Sequence, residues 1–167
     1  MGRMAELELF DRRAAPTVAD WAGSPDESML WCSLAEVTGD VVAGWSERPD
    51  VEAFVLTEDD RVVAYGEIWI DAAEQEVELA HLIVDPRRRD EGFGGRLVAE
   101  LVHQARRHYP VVALRVHSVN DVAIRCYARA GFERASPANT AAWNEGQPVD
   151  YVWMTHSGAR RPPSAGS

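Results

Sequence analysis

The sequence predicts an α/β (α+β) fold in a single domain, with a mixed central β-sheet and helices on both faces. Three observations lead there. The middle of the chain is strand-rich, and its last strand ends in the apolar run Leu82-Ile83-Val84. A loop rich in Arg and Gly separates that strand from a long amphipathic helix, after which strand and helix alternate. The length of 167 residues, with 46% hydrophobic and 26% charged, suits one domain with a true core.

Leu7–Phe10 reads as a short edge strand, and Pro16–Trp21 as a helix with proline in its first turn. Ser24-Pro25-Asp26-Glu27 is an N-cap followed by proline and two acids, a helix start ahead of Met29, Leu30 and Leu34. The segment 37–50 carries no clear pattern. Glu52–Thr57 and Arg61–Ile70 form a hairpin about the polar turn Glu58-Asp59-Asp60, and a second turn leads into a strand over Glu76–Val84. Because that strand ends apolar on both faces, it belongs at the centre of the sheet. In the long helix, Leu97, Val98, Leu101, Val102 and Ala105 make one apolar stripe, while Glu100, Gln104, Arg106 and Arg107 face water. Pro110 limits that helix. Val111–Val116 is a strand, Val119–Ala130 a helix closed by Gly131, and Phe132–Ala135 and Tyr151–Thr155 are the last strands. The domain is expected over 1–156, with a disordered tail over 157–167, where Pro, Gly, Ser and Arg dominate.

The formal net charge is −10, and all basic residues are arginine. This balance argues against nucleic acid as a partner, since phosphate contacts need clustered positive charge, and it favours a cationic partner. No stretch approaches the roughly 18 apolar residues of a membrane span, and the first ten residues lack the apolar run of a signal peptide. A cytoplasmic protein is expected. Cys32 and Cys126 lie far apart and, like the five histidines, show no metal-ligand spacing, so no metal is expected.

The loop Arg89-Asp90-Glu91-Gly92-Phe93-Gly94-Gly95 opens the long helix. Glycines allow a tight turn and close approach of a ligand, and a helix N-terminus offers unpaired N–H groups with partial positive charge. The combination suits a phosphate or pyrophosphate. The spacing excludes two alternatives. A nucleoside-triphosphatase loop would need Gly-Lys and then Ser or Thr where Gly95-Arg96-Leu97 stands, and a dinucleotide fingerprint would need glycine at Leu97. A plain glycine-rich helix start remains the competing reading of the loop alone.

The stretch from Leu82 to Gly94 resembles the acyl-CoA signature of the GCN5-related N-acetyltransferase (GNAT) family, with Arg89, Gly92 and Gly94 in its defining places. Downstream, Asn120, Ala123, Tyr127, Gly131 and Phe132 match that family's second motif. The resemblance covers about 76–132. It implies a sheet splayed at the cofactor strand and acetyl-CoA as acyl donor, with a primary amine of a small molecule, protein or peptide as acceptor. It further implies direct transfer in a ternary complex. Leu82, Ile83 and Val84 would hold the pantetheine arm through their backbone, and one of their N–H groups would polarise the thioester carbonyl. Amides of Arg89, Asp90, Glu91, Gly92, Phe93, Gly94 and Gly95 would take the pyrophosphate. Asn120 would help hold the cofactor, and Tyr127 would protonate the leaving thiolate. Homodimers are common in the family. Asp90 and Glu91 depart from its pattern, because acids there repel a pyrophosphate.

A lysine-like amine is neutral only on the order of 0.1% or less at pH 7, so a base is needed. Glu78 is the first candidate, Glu67 the second and His81 the third. Regular alternation would place Glu78 on the face of Ala80, Leu82 and Val84. Trp21, Trp31, Trp45, Trp69 and Trp143 are candidates to line an acceptor pocket, although core packing is the more ordinary place for a Trp. A non-catalytic acyl-CoA-binding or partner-docking domain of the same fold is the alternative to an enzyme.

Overall fold

The computed structural model describes residues 5–156. The predicted tail over 157–167 lies outside the described residues. The first strand, β1 (Glu6–Leu9), is followed by helices α1 (Ala15–Asp20), α2 (Pro25–Cys32) and α3 (Gly39–Ser46). Strands β2 (Val51–Glu58), β3 (Arg61–Asp71) and β4 (Glu76–Val84) form an antiparallel meander. Then come α4 (Phe93–Ala105), β5 (Val111–His117), α5 (Asp121–Arg129), β6 (Phe132–Arg134), α6 (Pro137–Asn144) and β7 (Tyr151–His156). The seven strands make one mixed sheet in the order β1-β2-β3-β4-β5-β7-β6, with β4 and β5 parallel.

Local chemistry accounts for most boundaries. The β2–β3 turn holds Asp59 and Asp60 at φ of 49° and 63°, the left-handed pair of a two-residue hairpin loop. Ser24 Oγ accepts the Glu27 N–H and starts α2. That helix stops at Cys32, because Ser33 turns left-handed at φ 61°, so Leu34 falls outside it. Met29, Leu30 and Leu34 are all exposed rather than packed inward. Helix α3 fills the unpatterned segment 37–50, where Thr38 Oγ1 accepts the Val41 N–H. Helix α6, also unforeseen, repeats the Ser-Pro start of α2, with Ser136 Oγ accepting from Asn139.

Two cores sandwich the sheet. On the back face, Leu97, Val98, Leu101, Val102 and Ala105 of α4 pack on Ala64, Ile68, Val77, Leu79, Val112 and Leu114. Each such Leu, Ile or Val side chain, once fully buried, contributes about 1.5–3 kcal/mol. Helix α4 sits this close because Gly66 lies beneath it. A Cβ there would stand 2.6 Å from Leu82 Cδ2 and 2.7 Å from Leu101 Cδ1. On the front face, α1 and α3 cover Ala53, Val55, Tyr65 and Ile83 with Ala15, Val18, Trp21, Val42 and Ala43. No helix among the described residues is long and apolar enough to cross a membrane.

Candidate active site

Strand β4 pairs with β5 only from Glu76 to Leu79, opposite Val111 to Leu114. Beyond these residues the two parallel strands separate, and the last residues of β4 present unpaired backbone groups toward the gap. A bulge lies at the same place. Glu67 of β3 faces Ala80 and Tyr65 faces Ile83, so His81 and Leu82 together oppose the single residue Gly66. His81 absorbs the irregularity at φ 53°.

The bulge corrects the expected alternation. Val77 and Leu79 point to the back-face core before it, and Leu82 and Val84 point there after it. The extra residue has shifted the parity, so Glu78 lies on the face opposite Leu82 and Val84. Glu78 instead shares the front face with Glu67 and Ile83.

The loop after β4 meets the geometric needs of an anion site. Gly92 takes φ 87° at the N-terminus of α4, and no side chain caps that helix. The first N–H groups of the helix thus remain available. A Cβ at Gly92 or Gly95 would meet nothing within 4 Å, whereas one at Gly94 would contact Cys126 Sγ at 3.5 Å and Val84 Cγ2 at 3.8 Å. The open positions leave room for a ligand, and the tight one ties the helix start to the end of β4 and to α5.

The acids in this loop are partly neutralised. Glu91 accepts from Arg88 at 2.8 Å, and Arg88 also reaches Glu58 at 2.6 Å while its guanidinium lies over the Phe93 ring. Arg89 lies 3.8 Å from Glu27 of α2, and Asp90 is exposed at φ 65°.

On α5, Ala123, Ile124 and Tyr127 pack against the back-face core, while Asp121, Arg125 and Arg129 are exposed. Asn120 is not part of the helical stripe. It is the N-cap, its Oδ1 accepting the Ala123 N–H at 3.3 Å. The Tyr127 ring meets Phe132 edge-on at 6.3 Å, and burial pushes its hydroxyl pKa up. It therefore keeps its proton at neutral pH. Burial also raises the Cys126 thiol, so that sulfur is no ready nucleophile. Among the described residues, no group of three or more His, Cys, Asp or Glu is placed to hold a metal ion.

The front face is polar and aromatic. Glu67, fully buried, accepts from Tyr65 Oη at 2.6 Å and Trp69 Nε1 at 2.8 Å, and its Oε2 lies 2.9 Å from His81 Nδ1. His81 stacks on Trp45 at 3.8 Å and meets Trp31 and Trp69 edge-on. Trp31 Nε1 donates to the His81 carbonyl at 2.8 Å. Farther along, both oxygens of Glu78 accept from Arg115, at 2.7 and 3.0 Å. The Arg115 guanidinium lies over Trp69, Tyr151 and Trp153 and donates to Gln147. Burial alone would lower the Arg115 pKa, but the bonds to Glu78 outweigh it and the net shift is upward.

Of the five candidate tryptophans, Trp31, Trp45 and Trp69 thus surround His81. Trp21 is core, and Trp143 packs on Trp153. Trp69, Trp143 and Trp153 also line a cleft of about 740 Å³ with Glu78, Arg115, Asp71 and Glu76. Sequence reading missed Arg115, Tyr151 and Trp153. The signal for Arg115 was there, since a charged residue in the middle of an apolar strand needs a partner.

A sheet opened beside an uncapped, glycine-built helix start has the shape to suit an extended ligand that carries phosphates. The sequence matches the acetyltransferase (GNAT) family over residues 5–132, and the chain belongs to that family. Solved structures share its fold. The ribosomal-protein-alanine N-acetyltransferase from Escherichia coli aligns with TM-score 0.69 at 17% identity, over 98% of this chain and 100% of that one. The aminoglycoside acetyltransferase AAC(6')-Ib, in complex with coenzyme A and kanamycin, aligns at 0.71 and 17%, over 93% and 96% of the two chains. The spermidine N-acetyltransferase from Vibrio cholerae, in complex with CoA and spermine, aligns at 0.68 and 15%, over 79% and 82%.

Proposed function

We propose that the protein is an N-acetyltransferase that moves the acetyl group of acetyl-CoA onto a primary amine by direct attack in a ternary complex. The observation that carries this reading is the separation of β4 from β5 after Leu79, immediately before the uncapped start of α4. The neighbours with coenzyme A bound, and with spermine or kanamycin beside it, support a donor and an amine acceptor of these kinds.

In this reading the backbone of Leu82, Ile83 and Val84, free on the β5 side, hydrogen-bonds the pantetheine arm as a strand would. One N–H of that segment faces the thioester oxygen and stabilises the charge that develops on it. Amides from Arg89 to Gly95 take the pyrophosphate, and the positive end of α4 supports them. Asn120 orders the start of α5 beside the donor. Tyr127, kept protonated by burial, gives its proton to the departing thiolate. The amine loses its own proton to a front-face group, for which Glu78, Glu67 and His81 are the candidates. The aromatic and acidic front face favours a cationic acceptor, through ring faces and long-range attraction.

The test is calorimetric titration with acetyl-CoA, using NAD and ATP as controls, followed by a screen of amines for release of free CoA. Selective binding of acetyl-CoA with turnover of an amine supports the reading. Binding without turnover of any amine moves the non-catalytic acyl-CoA-binding domain ahead, and absence of binding overturns the donor assignment.

A further inference from the structure

The front face holds a proton-accepting pair that the donor half does not use. Glu67 is fully buried: Trp69 Nε1 donates to its Oε1, while its Oε2 accepts from Tyr65 Oη and is also the partner of His81 Nδ1. A carboxylate only accepts, so this contact places the ring proton on Nδ1 and leaves the lone pair on Nε2. Among the described residues Nε2 has no hydrogen-bond partner. The ring cannot swing freely, because Trp45 stacks on one side and Trp31 and Trp69 meet its edges. Its side chain keeps 14% exposure, so one edge reaches solvent.

The position matters as much as the ring. His81 lies two residues past the last β4–β5 pairing, in the bulge, and directly precedes the backbone segment assigned to the thioester. Its left-handed φ of 53° is a strained state for a non-glycine residue, which persists where the surroundings over-determine it. Glu78 is differently placed. Both of its oxygens bind the Arg115 guanidinium, and protonating it would break two bonds to a permanent cation.

We infer that His81 is the group that takes the proton from the acceptor amine, and that Glu67 is the positioning residue that holds its tautomer and stabilises the imidazolium. This rests on the transferase reading above. The atoms balance as follows. One proton of the ammonium group goes to His81 Nε2 and on to solvent. The freed amine forms the C–N bond to the acyl carbon as the C–S bond breaks. The second nitrogen proton replaces the one that Tyr127 gives to sulfur. The products are the amide, the free thiol and one proton in solution. While charged, the imidazolium keeps Glu67 Oε2 at its Nδ1 and the Trp45 ring against its face.

The groups that face His81 are few. Among the described residues, strand β3 brings Glu67, Tyr65 and Trp69, α2 brings Trp31, and α3 brings the indole of Trp45, while the thiol of Cys32 feels the charge of Glu67. The Glu78–Arg115 pair is next along the face, beyond Trp69.

Two readouts test the inference. Histidine 15N spectra of the whole protein should show His81 protonated on Nδ1 at neutral pH, and Glu67→Gln should change that tautomer. The Nε2-protonated form in the unaltered protein overturns the inference, and this readout needs no acceptor. The second readout is CoA release from acetyl-CoA with n-butylamine across about pH 5 to 8, the range in which imidazole titrates. His81→Gln should lower kcat/KM on the order of 10²-fold and abolish the acid limb of its profile while acetyl-CoA binding is unchanged. Glu67→Gln should lower it less and displace the limb, whereas Glu78→Gln should retain the limb. A limb that survives in His81→Gln, or vanishes in Glu78→Gln, overturns the inference. Failure of the unaltered protein to bind acetyl-CoA would instead count against the proposed function, and the tautomer would then decide the pair by itself.

Discussion

The two faces of β4 are built on different principles. Behind the sheet, Val77, Leu79, Leu82 and Val84 join an aliphatic core with α4, and function is assigned there to backbone: unpaired strand amides and an uncapped helix start. In front, the same strand carries Glu78 and His81 into a network of Glu67, Arg115, Trp45, Trp69 and Trp153, held by charged and aromatic side chains. The back face tolerates exchange of one aliphatic residue for another of similar volume. The front face does not, because Glu67, His81, Glu78 and Arg115 there are held by one another and by the rings around them. The lesson is that a donor common to many enzymes can be held by main chain, whereas an acceptor particular to one must be chosen by side chains.

The largest expected effect would break the back-face half of this contrast. Tyr127→Phe should lower turnover by about 10²-fold or more while calorimetry shows acetyl-CoA affinity nearly unchanged, and unaltered turnover would exclude Tyr127 as the acid. Next comes Gly66→Val, which inserts bulk where Leu82 and Leu101 already stand within 2.7 Å of a Cβ. A loss of about 3 kcal/mol is expected in urea denaturation, and a variant as stable as the parent would mean that α4 rides looser than described.

On the front face, Arg115→Met should cost about 2 kcal/mol, since Glu78 is left partly buried without its partner. The figure is below that for a deeply buried pair because both side chains keep some solvent contact. Arg115→Lys, unable to form the two-pronged contact, should recover only part of that in the same denaturation series. Gly92→Ala should lose about 1 kcal/mol from its φ of 87°, with a several-fold weaker affinity for acetyl-CoA.

An effect confined to alkaline pH, and absent near neutrality, comes last. Burial raises the hydroxyl pKa of both Tyr65 and Tyr127, and the charge of Glu67 adds to this at Tyr65. A folded pKa above the unfolded one gives stability that is intact below the unfolded value, near pH 10, and is lost as pH rises past it. Each tyrosine should therefore contribute a decline of about 1.4 kcal/mol per pH unit above that point, and Tyr127→Phe should show a shallower slope by one such step.

The strands of the meander were legible because period-two apolar runs and acidic turns occur together; the span of β4, Glu76–Val84, is the one expected. The glycine loop was legible because its spacing is tied to a helix start. Helix α3 was not, since Gly39, Gly44 and two adjacent valines give it poor intrinsic propensity and its stability comes from packing on α1 and β2. Helix α6 carried the same Ser-Pro signature as α2 and was readable in principle. The bulge at His81 left no mark in the sequence, and with it went the face assignment of Glu78.

The sequence by itself determined the succession of strands, the glycine-built start of α4 and the family that the chain belongs to, because these depend on local spacing. Only the tertiary structure decided which side chains meet: Glu78 with Arg115, and Glu67 with His81 beneath Trp45. One additional residue in β4 reverses every later side chain, and pairing across strands far apart in sequence cannot be read from either strand alone.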